Sequence, residues 1–140
     1  MDIESVSVDL LENGNKVLNS VFRIYEEDPE NKDNVILEIH FKGKKIVKSS
    51  EDFFSAMQAI RTDLELKGIF MQCNGAAKNV YPSPMQRTGR TAYVLELCCP
   101  AKLSNVVDIF ETREGLDFVT VEEQDIFYKE WLSSLQVASG

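Results

Sequence analysis

Between Phe53 and Cys73 the hydrophobic period of the chain changes, and the change falls on one glycine. Phe53, Met57, Ile60 and Leu64 recur at spacings of four, three and four, the stripe of a 3.6-residue repeat that asks to be buried. After Gly68, Ile69, Met71 and Cys73 alternate with Phe70, Gln72 and Asn74, which is the period of a half-buried strand. A helix handed directly to a strand calls for a mixed architecture. Ser49 and Asp52 approximate a capping box, so the helix is expected to start near residue 50, and Lys67 with Gly68 marks its end. Arg61, Asp63 and Glu65 lie off the stripe and read as a solvated face. Cys73 falls on the apolar side of the strand and reads as a small buried hydrophobe.

Periodicity then stops. From Asn74 to Arg90 the chain passes Asn74-Gly75, Pro82-Ser83-Pro84 and Gly89, a connection of about fifteen residues, which is long for a compact domain and of the kind that carries function. Elsewhere the signals are shorter. Residues 1–15 hold a turn at Asn13-Gly14-Asn15 and leave a strand, a helical turn or a loose arm open before it. Val17–Tyr25 and Val35–Phe41 alternate on either side of the polar run 26–34 and predict a hairpin. Lys44, Lys45 and Lys48 follow, suited either to an anion or to blunting an edge strand.

Thr91–Cys99 is the strongest strand signal, apolar on both faces, as a central strand or one shared with a partner would be; Pro100 ends it. Val106–Phe110 predicts a short strand. Thr120-Val121-Glu122-Glu123 is a better capping box than the first, and Phe127, Trp131 and Leu135 follow at four-residue spacing to make a C-terminal helix with a frayed end at 136–140. The order predicts an α+β fold. A mostly antiparallel sheet would carry both helices on one face as a two-layer sandwich, in a single domain over 1–140.

The chain has 140 residues and is 44% hydrophobic, enough for a core. No run reaches a membrane span, and the acidic start Met1-Asp2-Ile3-Glu4 is unlike a signal peptide, so a cytoplasmic location is expected. Three cysteines and one histidine, His40, show no disulfide or zinc spacing, and neither a metal nor a cofactor is expected. The usual catalytic and nucleotide-binding motifs are missing, which points away from an enzyme. Net charge is −8, with nine acids against three bases in 1–34 and eight against two in 104–140, while 69–103 holds four bases and one acid. Such a balance disfavours nucleic acid and favours a basic partner.

Ile60-Arg61, Leu64-Glu65, Gly68, Cys73-Asn74-Gly75, Val80-Tyr81-Pro82-Ser83, Met85 and Ala92-Tyr93-Val94-Leu95 form a set of blocks spanning about residues 59–97. In these blocks the chain resembles a group of short bacterial proteins, some of which look like immunity proteins of polymorphic or contact-dependent toxin systems. Pro84 stands where that pattern has a glycine, so a different loop shape is expected here. The likeness implies a cognate protein toxin, such as a nuclease, as partner. Charge alone suggests the patches that would meet it: Glu26, Glu27, Asp28 and Glu30, or Glu111, Glu114 and Asp117. An alternative uses the long loop as an anion or small-ligand site, or an enzymatic one, with Lys78, Arg87 and Arg90 for charge and Asn74 and Ser83 as hydrogen-bond donors. Monomer and homodimer both remain open, the latter through Thr91–Cys99 or its neighbour.

Overall fold

In the computed structural model, which describes residues 3–139 and side chains over 3–136, the fold is α+β, built from antiparallel sheets and two helices. The chain separates into two compact units, Met1–Gln72 and Cys73–Gly140. Among the described residues the strands divide among three sheets rather than one, and each unit holds one helix.

In the first unit β1 (Ile3–Ser7), β4 (Val21–Tyr25), β5 (Val35–Phe41) and β6 (Lys44–Ser50) make a four-stranded sheet in the order β1-β4-β5-β6. The predicted hairpin is the β4–β5 pair, with Phe22 opposite Ile39 and Ile24 opposite Leu37. Of the undecided first fifteen residues, the described ones, 3–15, are mostly strand. β2 (Asp9–Glu12) and β3 (Asn15–Val17) close on Asn13 and Gly14, both at positive φ, and β7 (Ile69–Gln72) joins the other side of β2. That geometry suits Asn-Gly, and the hairpin was hard to read because its strands are so short.

Helix α1 (Phe53–Glu65) packs on β5, β6 and β7. Its four-residue stripe is buried as expected, together with Phe54, Leu37, Ile39, Phe41, Phe22 and Ile24. The cap is Asp52 itself, whose carboxylate accepts the Ser55 N–H at 2.7 Å, whereas Ser49 belongs to β6. One expectation is overturned: Arg61 is only 1% exposed, with its Nε 3.8 Å from the Glu65 carboxylate one turn on. A long side chain can carry its charge under a helix when a carboxylate sits four residues away, which hydrophobic periodicity cannot reveal.

In the second unit β8 (Val80–Tyr81), β9 (Thr91–Val94) and β10 (Val106–Asp108) form a sheet in the order β10-β9-β8, with α2 (Val121–Ser139) following. β9 is central, as its two apolar faces suggested, but the strand stops at Val94. The chain then folds back on itself, Glu96 bridging to Cys99 with Cys98 at φ +66°. The α2 capping box forms as predicted. Thr120 Oγ1 accepts the Glu123 N–H at 3.2 Å, and the Glu123 carboxylate accepts the Thr120 N–H at 3.2 Å and its hydroxyl at 2.9 Å. Among the described residues no helix is long and apolar enough to cross a membrane.

Candidate functional site

The long connection in the second unit is not a loose loop. It holds two short 3-10 turns, Asn74–Ala76 and Gln86–Thr88, on either side of β8, and its backbone is tied down almost residue by residue. Asn74 donates its main-chain N–H to Glu111 O at 2.8 Å and its side-chain amide to Asp108 O at 3.0 Å, while its Oδ1 accepts the Arg113 N–H at 2.7 Å. Gly75 N–H reaches Ile109 O at 3.0 Å, and Lys78 N–H reaches Asp117 O at 2.8 Å. From the helix side, Gln124 is fully buried and places its Nε2 2.9 Å from each of the carbonyls of Gly75, Ala77 and Val80. Two amide protons shared over three buried acceptors fix the segment against α2, adding a donor to carbonyls that are out of reach of water.

What this frame presents is an aromatic pocket. β8 supplies Tyr81, followed by the buried Pro82; β9 supplies Tyr93, which lies opposite Tyr81 in the ladder; α2 supplies Tyr128, Trp131 and Leu132 from one face. They line a concave cavity of about 250 Å³ whose walls are mostly apolar. The rings of Tyr81 and Tyr128 stack with centroids 3.9 Å apart and planes 10° from parallel, and Tyr128 continues to Trp131 at 5.9 Å. The polar ends of two of these rings are occupied. Trp131 Nε1–H donates to Cys99 O at 2.9 Å, and the Tyr81 hydroxyl lies 3.2 Å from the Asp125 carboxylate. Burial, and then the charge of Asp125, raise the Tyr81 phenol above its ordinary value of 10.0, so it stays protonated.

The residues singled out from the sequence fall into three groups. Asn74 and Ser83, read as ligand donors, work inside the fold: Asn74 is buried, and Ser83 trades hydrogen bonds with Gln86, its N–H to the Gln86 side chain at 2.9 Å and its Oγ accepting the Gln86 N–H at 3.2 Å. Pro84 follows Ser83 in that turn, where its fixed φ and missing N–H are tolerated. Lys78, Arg87 and Arg90 stand over three different rings, Phe127 at 5.8 Å, Tyr81 at 5.6 Å and Phe110 at 5.6 Å, and none of the three lines the aromatic pocket.

The acids form the third group. Glu26, Glu27 and Glu30 are exposed, but Asp28 turns into its own loop. Its carboxylate accepts the Ser49 hydroxyl at 2.6 Å and the Glu30 N–H at 2.9 Å; these bonds, the hydroxyl first, lower its pKa below 3.8. Glu111, Glu114 and Asp117 are exposed on a segment whose main chain is anchored to Asn74 and Lys78. His40 lies on β5 with Nε2 2.7 Å from the Glu38 carboxylate. Among the described residues no cluster of three His, Cys, Asp or Glu side chains could hold a metal ion.

Sequence reasoning missed Gln124, Tyr81 and Tyr128. Gln124 is set three and seven residues before Phe127 and Trp131, so its place on the buried stripe was the available signal. No family model and no curated protein matches the chain.

Proposed function

We propose that the protein is a non-catalytic binding protein for a basic protein partner, with the aromatic pocket of the second unit as the anchor seat. The observation that carries this reading is the pocket itself: a concave, apolar recess walled by Tyr and Trp rings whose polar ends are engaged inward at Tyr81 and Trp131. Such a surface offers ring area and a fixed shape, the properties that concentrate binding energy at protein interfaces. Rigid loops support the same reading. The exposed carboxylates of Glu26, Glu27 and Glu30, and of Glu111, Glu114 and Asp117, stand on segments already ordered by internal hydrogen bonds, so little conformational freedom is lost when a partner docks, and their charge speeds capture of a basic one.

The finer reading is a cytoplasmic immunity protein that blocks a cognate bacterial toxin such as a nuclease. It is supported by the resemblance carried on residues 59–97 and by the acidic balance of both chain ends. The experiment is co-expression with the product of the adjacent gene: a co-purifying complex with salt-sensitive association rates, and protection from that product's toxicity, are expected. Absence of both complex and protection would falsify the reading.

A further inference from the structure

The four-stranded sheet ends on β6, and among the described residues no strand is bonded to its far side. A two-residue turn at Lys42 and Gly43, both at positive φ, makes Phe41 and Lys44 the first hydrogen-bonded pair, and the pattern recurs at Ile46, Lys48 and Ser50. The main-chain groups of Lys45, Val47 and Ser49 therefore point away from the sheet. Lys48 reaches Asp63 of α1 at 2.9 Å, so the side chains of Lys45, Val47 and Ser49 occupy the opposite face, where all three residues are exposed.

Charge is split along this strand. Lys44 and Lys45 stand exposed at its start, beside Lys42, which pairs with Glu12 at 2.7 Å. At its far end Ser49 donates its hydroxyl to Asp28 and accepts the Asn34 amide at 3.1 Å. Those two bonds seat the 26–34 loop, with exposed Glu26, Glu27 and Glu30, next to the end of β6.

We propose that β6 binds a second copy of this chain, the two β6 strands pairing antiparallel about a twofold axis at Val47. In that register the outward main-chain groups of Val47 meet their own counterparts, and those of Lys45 meet those of Ser49 in the other copy, so every outward donor and acceptor of the three residues finds a partner. Lys45 of each copy then projects on the same face as the other copy's Ser49, beside the acidic loop that Ser49 anchors. The charge contact occurs twice by symmetry. Parallel pairing would set lysines against lysines. Lysines on an edge ordinarily discourage pairing; here the exposed ones are confined to one end, with Ile46 and Val47 uncharged in the middle, so they select a direction instead of blocking association.

Sedimentation equilibrium of the full chain at low and high salt tests this. A concentration-dependent dimer weakened by salt is expected. Val47→Pro removes an N–H that β5 does not use, so the fold is kept and the dimer is lost. Lys45→Glu weakens the dimer about tenfold or more, and adding Glu27→Lys and Glu30→Lys to the same chain restores it. A chain that stays monomeric at every concentration overturns the proposal, as does a dimer that survives both Val47→Pro and Lys45→Glu. If Val47→Pro loses its cooperative melt, the charge swap decides alone: restoration supports antiparallel pairing, and indifference to Lys45→Glu excludes it.

Discussion

In the first unit β5 and β6 are seven residues each, and the buried positions of the four-stranded sheet and α1 carry Phe22, Ile24, Leu37, Ile39, Met57, Ile60 and Leu64. In the second unit the strands have two, four and three residues, and Ala76, Ala77 and Ala92 fill positions that larger side chains hold elsewhere. Short strands make few ladder bonds. The backbone that they leave over is satisfied by side-chain amides: Asn74, Gln124, and Asn79, whose Nδ2 donates to Leu95 O at 3.0 Å. The lesson is that a loop-rich unit can be held rigid by a few polar side chains, of which the buried Asn74 and Gln124 each satisfy several main-chain atoms, so that its stability is concentrated in single residues.

This contrast breaks if polar and apolar substitutions do not rank as it requires. Gln124→Glu is expected to have the largest effect, about 4 kcal/mol or more, because it sets a carboxylate without donors against three buried carbonyls. Urea unfolding followed by Trp131 emission reads it. Leu37→Ala, at a fully buried position of β5, should cost about 3 kcal/mol through lost burial and the cavity left behind, seen in the urea midpoint by far-UV circular dichroism. Asn74→Ala should come next at about 2 kcal/mol, since it takes the acceptor from the Arg113 N–H and leaves the Asp108 carbonyl to the Glu111 N–H. Were it silent in the same denaturation series, the amides would be ornament and the contrast would fail.

The smallest mutational effect is expected at the α2 cap, where Thr120→Ala should cost about 1 kcal/mol in thermal melts. The cap also carries a pH signature. The Thr120 N–H and hydroxyl hold the Glu123 carboxyl below its ordinary 4.5. A depressed folded-state pKa gives stability that is present above the unfolded value and lost as pH falls through the folded one. Wild type should therefore lose part of its melting temperature as pH drops below about 4.5, while Thr120→Ala should lose less over that window. Tyr81 has the opposite sign. Its raised pKa contributes stability below pH 10.0 that fades as the phenol ionises, so Tyr81→Phe should remove the late component of an alkaline ultraviolet titration.

Much of the first unit was legible because its elements are long enough for period to speak: the alternation of β5 and the stripe of α1 sit in the core where the pattern put them. Arg61 escaped because a buried charge looks like a surface charge in sequence. In the second unit, Thr91–Cys99 reads as one strand, yet the ladder ends at Val94, and alternation carries no mark for a bend that depends on Cys98 adopting positive φ. The pocket was legible only in part. Trp131 and the capping box located its helix, but Tyr81 and Tyr128 meet from positions 47 apart in sequence. Asn74, chosen as a ligand donor, proved to be a strut, since an amide that binds ligands and one that binds backbone have the same composition.

Because Trp131 is the chain's only tryptophan and forms a wall of the pocket, its emission during titration with the adjacent gene's product is the most direct test of the functional account. Binding should shift the emission, and Leu132→Asp, at a half-exposed position on the pocket wall, should weaken association at least about tenfold with the fold intact. A partner that binds without moving the Trp131 signal, and binds Leu132→Asp as tightly as wild type, would show that the pocket is not its seat.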